Sequence, residues 1–479
     1  MFSIFDAARD AADREALVCD GARTSFAELG RRSAVRASQL RALGLEPAQT
    51  RPVALIVDQS LPMFEVLYAL LELGVPLLPL HPRLTAPERA SLMTRSASLT
   101  LIDPERLEPI PHQVVEHTPI PASLGAIDHE HPLAIVPSSG SSGEPKLVEL
   151  SRRAFFELAR SDAERLPPQT GDRALLCMPL SHVGGLSVVL RSLAARRACV
   201  VFRATKAGVL SAAGELAATL SRERISLLSL VPPVLARLLR EAPAFAQKAP
   251  LRALLLGGQA CSLELFGEAR ARGVPLLTSY GLTETCSQAS TLAFPPPSSV
   301  ATRGAVLSSG FPLPRVELRV RNGLIEVRGP TLFSRYLAGP NALDDEGFFN
   351  TGDRGELDPE AGLFVFGRAS ELIITGGENV DPSEVEHALL ACPNVEAACV
   401  FGVSDREFGE TVAVALEARA GAERDEQALF GALDARLAGF KQPRMLCWFD
   451  ELPRLGSGKL DRSRIRAEAG ARLREPVRR

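Results

Sequence analysis

Short apolar runs alternate with helix-period segments from the start of the chain to about residue 280. Residues 52–57, 75–80, 133–136, 225–231, 251–256 and 274–278 are apolar runs of strand length, bounded by Gly, Pro or Ser. Each reads as a buried strand. Between the first two, Phe64, Leu67, Leu70 and Leu71 recur at helical spacing and run through Gly74 into the next strand. Ser25 stands three residues before Glu28, the spacing of a capping box. Ser151 precedes Ala154, Phe155, Leu158 and Ala159, a helix with a serine N-cap. Pro232 and Pro233 open a helix with Leu235, Leu238 and Leu239 on its apolar face. Strands alternating with helices predict an α/β core. Residues 103–128 are Pro-rich, with no clear period, and read as irregular. Beyond residue 310 strands dominate: 316–320 and 324–327 meet at Asn322-Gly323, a hairpin signal, and 363–366 follows. Asp381-Pro382-Ser383-Glu384 then starts a capped helix within a small βαβ-type domain.

Composition narrows the class without naming a chemistry. The 479 residues, 46% hydrophobic and 23% charged, are expected to form a soluble globular protein of two to four domains or subdomains. A net charge of −3 gives no reason to expect nucleic acid or an anionic membrane as partner. The most apolar stretch, 61–80, carries Glu65, Glu72, Pro62, Gly74, Pro76 and Pro79, so no integral membrane segment is expected there. Asp6, Arg9 and Asp10 interrupt the N-terminus before an apolar leader could form. Eight scattered cysteines without a CxxC pair lead to an expectation of reduced thiols and a cytoplasmic location. A homo-oligomer is compatible with this composition, which does not fix the oligomeric state.

Candidate chemistry gathers where strands end. The loop after 133–136 holds Ser138, Ser139, Gly140, Ser141, Ser142, Gly143 and Lys146. Glycines turn backbone N–H groups toward an anion, hydroxyls add donors, and the lysine adds a cation. That equipment suits a polyphosphate, although such composition also suits a flexible linker. The Walker A spacing is absent. Further on, His182 with Gly184 and Gly185 lies between a strand end and a helix start, where α/β proteins place ligands. Gly257, Gly258 and Gln259 follow the strand 251–256 and permit close approach of a ring or phosphate. The strand 274–278 runs into Ser279, Tyr280, Gly281, Leu282, Thr283 and Glu284. Tyr280 can stack on a base, Thr283 offers a hydroxyl, and Glu284 offers an oxygen to Mg²⁺. Asp353, in Thr351-Gly352-Asp353, can accept from both hydroxyls of a ribose.

In this order, these motifs resemble those of the adenylate-forming superfamily of acyl- and aryl-CoA synthetases, luciferases and peptide-synthetase adenylation domains. The string from Tyr280 through Thr283, Glu284 and Ser287 to Gln288 looks especially like the o-succinylbenzoate–CoA ligases of menaquinone synthesis. Two departures are visible: Leu147 stands where the family usually has glycine after Pro-Lys, and Glu371 where it usually has aspartate. The resemblance implies a large N-terminal adenylation domain, 1–369, built of α/β subdomains and a β-rich subdomain. A small, mobile α+β domain, 370–479, would follow, turning about Ser370. It implies a ligase that uses ATP, Mg²⁺ and coenzyme A to activate a small carboxylic acid through an acyl-AMP.

The resemblance also distributes the roles. Lys459 would meet the α-phosphate, and the 138–146 loop the outer phosphates. Glu284 would hold the metal, and Arg368 and Asp353 would lie at the nucleotide. His182 would lie near the carboxylate. Gly376, Gly377 and Glu378 would line the pantetheine path. For the second carboxylate of o-succinylbenzoate the candidates are Arg237, on the helix that borders the acyl pocket in the family, and Ser287 and Gln288. No acidic residue occurs from Pro179 to Leu193, which argues against an amino-acid substrate. A fatty-acyl or aryl-CoA ligase, an acyl-AMP ligase loading a carrier protein, and a non-catalytic acyl- or nucleotide-sensing protein are the alternatives.

Overall fold

In the computed structural model, described here for residues 2–138, 145–203, 209–375, 378–405, 408–434, 436–455 and 458–475, two large sheets and a four-stranded sheet form the N-terminal part. The largest sheet has nine strands. At its centre Arg173–Leu176, Leu227–Leu230, Ala253–Leu256 and Leu276–Tyr280 run parallel. Parallel neighbours covered on both faces favour apolar residues, which is why these segments read as near-continuous apolar runs, interrupted only by small polar residues such as Ser229 and Thr278. A six-stranded sheet holds Val53–Ile56, Leu77–Leu80 and Pro132–Ser138, again parallel to one another. Its strand Pro132–Ser138 turns back as an antiparallel hairpin with Lys146–Ser151, so the Ser/Gly-rich loop joins two strands.

The helix Leu61–Leu73 is buried on all sides from Met63 onward and stops at Gly74, whose φ of +67° favours glycine. Ser60 caps its start by accepting from the Met63 N–H. Ser25 caps the helix Phe26–Ala42, but the Glu28 carboxylate accepts from Arg32 and does not close the box. The reciprocal box is at Thr85 and Glu88, where both bonds form. The stretch expected to be irregular contains a short helix, His112–His117, with only Val115 buried, too little apolar surface for a period to show.

Glu317–Arg321 and Leu324–Arg328 pair as a hairpin about Asn322 and Gly323, with φ of +53° and +75°. Phe349–Asp358 and Gly362–Arg368 extend that sheet. A small C-terminal domain follows, with its own five-stranded sheet. Its parallel pair, Gly409–Ala418 and Met445–Phe449, is bridged by the helix Glu426–Asp434, the βαβ unit expected there. Its two core clusters draw only on residues from Ile373 onward. Among the described residues no helix is long and apolar enough to cross a membrane.

A candidate nucleotide and acyl site at the strand ends

The carboxyl ends of the parallel strands point to one place. His182 follows Arg173–Leu176, Val231 follows Leu227–Leu230, Gly257 and Gly258 follow Ala253–Leu256, and Tyr280 ends its strand. Open α/β sheets bind ligands at this edge.

Close backbone packing builds the floor. A Cβ on Gly281 would lie 2.1 Å from the Ser287 carbonyl oxygen, and one on Gly257 would lie 2.6 Å from Ser279 Oγ. Only glycine fits at Gly281, where the neighbour is backbone, whereas at Gly257 the Ser279 hydroxyl would have to turn away. The turn after Gly281 carries Thr283 and Glu284 and ends at Cys286 and Ser287, both with positive φ, +55° and +94°. Strained backbone of this kind concentrates at functional sites.

Two hydrogen-bonded groups stand on that floor. The Tyr280 hydroxyl donates to Asp353 Oδ2 at 2.6 Å. Arg368 Nε meets Asp353 Oδ1 at 2.9 Å, and its Nη1 donates to the Thr351 carbonyl. Burial raises the Asp353 carboxyl above its ordinary range, with Arg368 and Tyr280 opposing, and burial raises the Tyr280 hydroxyl well above its own. In the second group, Glu284 Oε1 accepts from the Tyr336 hydroxyl at 2.9 Å and from Ser138 Oγ at 3.5 Å. Among the described residues no lysine or arginine pairs with this buried carboxylate. A buried carboxylate held only by hydroxyls fits a divalent cation, which would supply the missing charge. Lys146 Nζ lies 4.8 Å from the centre of the Tyr336 ring, at the mouth of the hairpin loop. Ser139, Gly140, Ser141, Ser142 and Gly143 of that loop lie outside the described residues, as do Gly376 and Gly377.

Lys459 reaches the site from the small domain. Its Nζ lies 3.2 Å from where a Cβ on Gly258 would stand, beside Val231. Burial, and next the Arg368 charge, lower its pKa from the ordinary lysine range. His182 is the N-cap residue of the helix Val183–Ala194, but its ring makes no capping bond. Burial, then the nearby Lys459 and His81, push its pKa down to about 4, so the ring is neutral at pH 7. Gln259 is half-buried in the turn beyond Gly258. Glu378 is exposed at the start of a short strand, and Ser370 is exposed in the 3₁₀ turn Ala369–Glu371.

The acyl-side candidates divide. Ser287 and Gln288 come together with the helix Val183–Ala194, where Ser187 Oγ lies 3.5 Å from Ser287 Oγ. Arg237 does not join them. It pairs with Glu241 one turn along its own helix, and its side chain is 40% exposed. The apolar face of that helix (Val234, Leu235, Leu238 and Leu239) takes the buried side and turns Arg237 outward. The buried cation is Arg191, 8% exposed, whose Nη1 donates to Asp162 at 2.8 Å and to Gln288 at 3.3 Å. Arg197, also buried, lies 3.7 Å from the same Asp162. Two guanidiniums therefore share one carboxylate, and both line a cavity bounded by Val188, Leu228 and Leu277. The sequence held a signal for Arg191: it is the one charged residue in 183–194, a segment otherwise of apolar residues, glycines and two serines. Tyr336 was also missed, and no spacing in the sequence ties it to Glu284.

Residues 4–337 match the family of AMP-binding enzymes, and residues 384–459 match the AMP-binding enzyme C-terminal domain. The chain is 31% identical to a 2-succinylbenzoate–CoA ligase of Bacillus licheniformis, over 95% of this chain and 96% of that one. It is 32% identical to the ligase of that name from Geobacillus kaustophilus, over 94% of each. Among solved structures it is similar to o-succinylbenzoate CoA synthetase of Bacillus subtilis in complex with the acyl-adenylate intermediate OSB-AMP. The TM-score is 0.84 at 28% identity, covering 99% of this chain and 98% of that one. The same enzyme in complex with ATP and magnesium ion also gives 0.84, at 29% identity, covering 97% and 98%.

Proposed function

Since the chain belongs to the family of AMP-binding enzymes, we propose that it is an ATP-dependent carboxylic acid–CoA ligase acting on 2-succinylbenzoate, a step of menaquinone biosynthesis. The observation that carries the reading is the convergence of Lys459, from a separate domain, on the strand-end site that holds His182, Glu284 and Asp353.

In the first half-reaction the substrate carboxylate attacks the α-phosphorus of ATP and pyrophosphate leaves. Negative charge shifts among the phosphoryl oxygens, so cations and oriented donors accelerate the step. Lys459 and Arg368 are the cations at the inner phosphate and ribose. Ser138, Lys146 and the loop between them serve the outer phosphates. Glu284 would hold Mg²⁺, which supplies charge neutralisation when bound. Asp353 accepts from the ribose hydroxyls, giving up the Tyr280 hydroxyl, and the Tyr280 ring packs on the base. Neutral His182 gives the incoming carboxylate a hydrogen-bond partner without fixing a second buried charge. In the second half-reaction the thiolate of coenzyme A attacks the acyl carbon, and AMP leaves with the electrons of the acyl–oxygen bond, so no protein nucleophile is required.

The substrate's aromatic carboxylate stays ionised and needs a buried cation. Arg191 supplies it, with Ser187, Ser287 and Gln288 around it, and Arg237 is withdrawn from that role. We place the domain boundary between Ala369 and Ser370, within an exposed turn two residues before the first core residue of the small domain, Ile373. Glu378, beside Gly376 and Gly377, is assigned to the thiol path by resemblance. All eight cysteines are free thiols, which supports a cytoplasmic location.

The test is a panel of carboxylic acids assayed for ATP- and CoA-dependent AMP release. 2-Succinylbenzoate should give the highest kcat/KM. Turnover of simple fatty or benzoic acids, with 2-succinylbenzoate ignored, would leave the ligase and reject the substrate.

A further inference from the structure

Lys459 can act only if the small domain is held where it is, and the domain has its own core, so surface contacts must hold it. One contact stands out by its geometry. Arg354 lies on the strand Phe349–Asp358, directly opposite Gly367 on the neighbouring strand Gly362–Arg368. The first turn of the small domain's helix Pro382–Leu390 rests on this pair. A Cβ on Gly367 would meet Ser383 Oγ at 2.9 Å and Asp381 Oδ1 at 3.5 Å. Asp381 caps that helix by accepting from the Ser383 N–H at 2.8 Å through Oδ1. Its other oxygen, Oδ2, accepts a short bond from Arg354 Nη2. Capping thus orients the carboxylate, and glycine opposite the arginine gives the helix room to approach.

Both partners are largely withdrawn from water, with side chains 29% and 17% exposed. Burial raises the Asp381 carboxyl, and Arg354 is among the groups that oppose that rise. A second ion pair crosses between the domains, Arg240 with Glu396, but its arginine is 46% exposed. Losing one partner of an exposed pair costs little, whereas losing one partner of a largely buried pair leaves the other charge unpaired away from water and costs more.

We propose that Arg354 and Asp381 form a latch that holds the small domain with Lys459 in the site, and so are positioning residues for acyl-adenylate formation. The inference rests on the reading of Lys459 as the lysine of that half-reaction. Transfer to the thiol has no use for Lys459 at the phosphate, so the latch serves one step and not the other.

The test uses Arg354→Met, Asp381→Asn, which keeps a capping side chain, and the double variant. Acyl-AMP formation is timed without CoA, and thioester formation is timed from supplied acyl-AMP and CoA. Each single variant should slow the first step about threefold to tenfold and leave the second within about twofold, as expected when a partly buried pair biases a two-state equilibrium. The double variant should be no slower than either single, because one interaction is removed in all three. Small-angle scattering of the free proteins should show a larger radius of gyration in the variants. Equal loss in both steps, or no change in either with scattering unaltered, would overturn the latch. A wild-type protein that forms no acyl-AMP from any acid, while the variants still expand, would reject the catalytic reading and keep the latch.

Discussion

The two walls of the site are held by different physics. On the large-domain side, Tyr280, at the end of its strand in the largest sheet, and Asp353, Arg368 and Thr351, on two strands of the four-stranded sheet, form one hydrogen-bonded group. Glu284 and Tyr336 form another. Their positions follow from core packing and from glycines that no other residue could replace, such as Gly281. On the small-domain side, Lys459 is delivered from a body with its own core. Its position follows from interface ion pairs worth far less than a core. Groups needed in every step can be built into the core. A group needed in one step can be left on a part whose placement costs little to change.

The largest break in this comparison is Lys459→Ala. Removing the cation should slow acyl-AMP formation by roughly 10²–10³-fold, the scale of losing one oriented charge stabiliser. Thioester formation from supplied acyl-AMP should persist, measured by trapping the CoA product. Equal loss in both half-reactions would mean that Lys459 also serves the large-domain chemistry, and the two walls would no longer differ in role.

Next is Arg191→Gln, which tests the acyl end of the core-built wall. kcat/KM for 2-succinylbenzoate should fall by about 2–3 kcal/mol in transition-state stabilisation, the scale of leaving one charge of a buried pair unpartnered. ATP binding, measured by calorimetry, should be unaffected. A parallel loss of ATP affinity would mean that the Arg191, Asp162 and Arg197 cluster is only scaffolding.

The strand cores and the strand-end clusters were legible in the sequence because buried parallel strands leave near-continuous apolar runs, and a glycine packed on backbone, such as Gly281, admits no substitute. Gly74 ending the helix Leu61–Leu73, and Asn322-Gly323 joining a hairpin, are local chemistry that a sequence displays directly. What escaped depends on which way a side chain turns. Arg237 and Arg191 are both helix arginines, yet one is turned outward by its helix's apolar face and the other is buried. The long-range pairs Tyr336–Glu284 and Arg354–Asp381 join residues tens of positions apart, and no period or spacing encodes them.

A smaller effect sharpens the electrostatic side. The folded pKa of His182, about 4, lies below its unfolded value of about 6.5, so the native state holds fewer protons between the two. The stability His182 contributes is therefore full above about pH 6.5 and is lost as pH falls toward 4. Thermal unfolding of wild type and His182→Asn at pH 7.5 and 4.5 should show the larger drop in wild type. An equal drop in both would place the ring in water and remove its role as a neutral partner.

The smallest expected effect belongs to Arg237→Leu. Its ion pair with Glu241 spans one helical turn at the surface, and such pairs contribute about 0.3–0.5 kcal/mol. The variant should keep kcat/KM for 2-succinylbenzoate within about twofold, and stability should change by no more than that pair. Contrast with Arg191 makes the measurement informative: both are helix arginines paired with a carboxylate, and they differ in burial, 8% against 40% exposed. A selective loss for 2-succinylbenzoate in Arg237→Leu, with ATP affinity intact, would mean that substrate draws Arg237 away from Glu241 and inward. The acyl end would then be assembled on binding, like the Lys459 wall, and the division between a core-built wall and a delivered one would fail there.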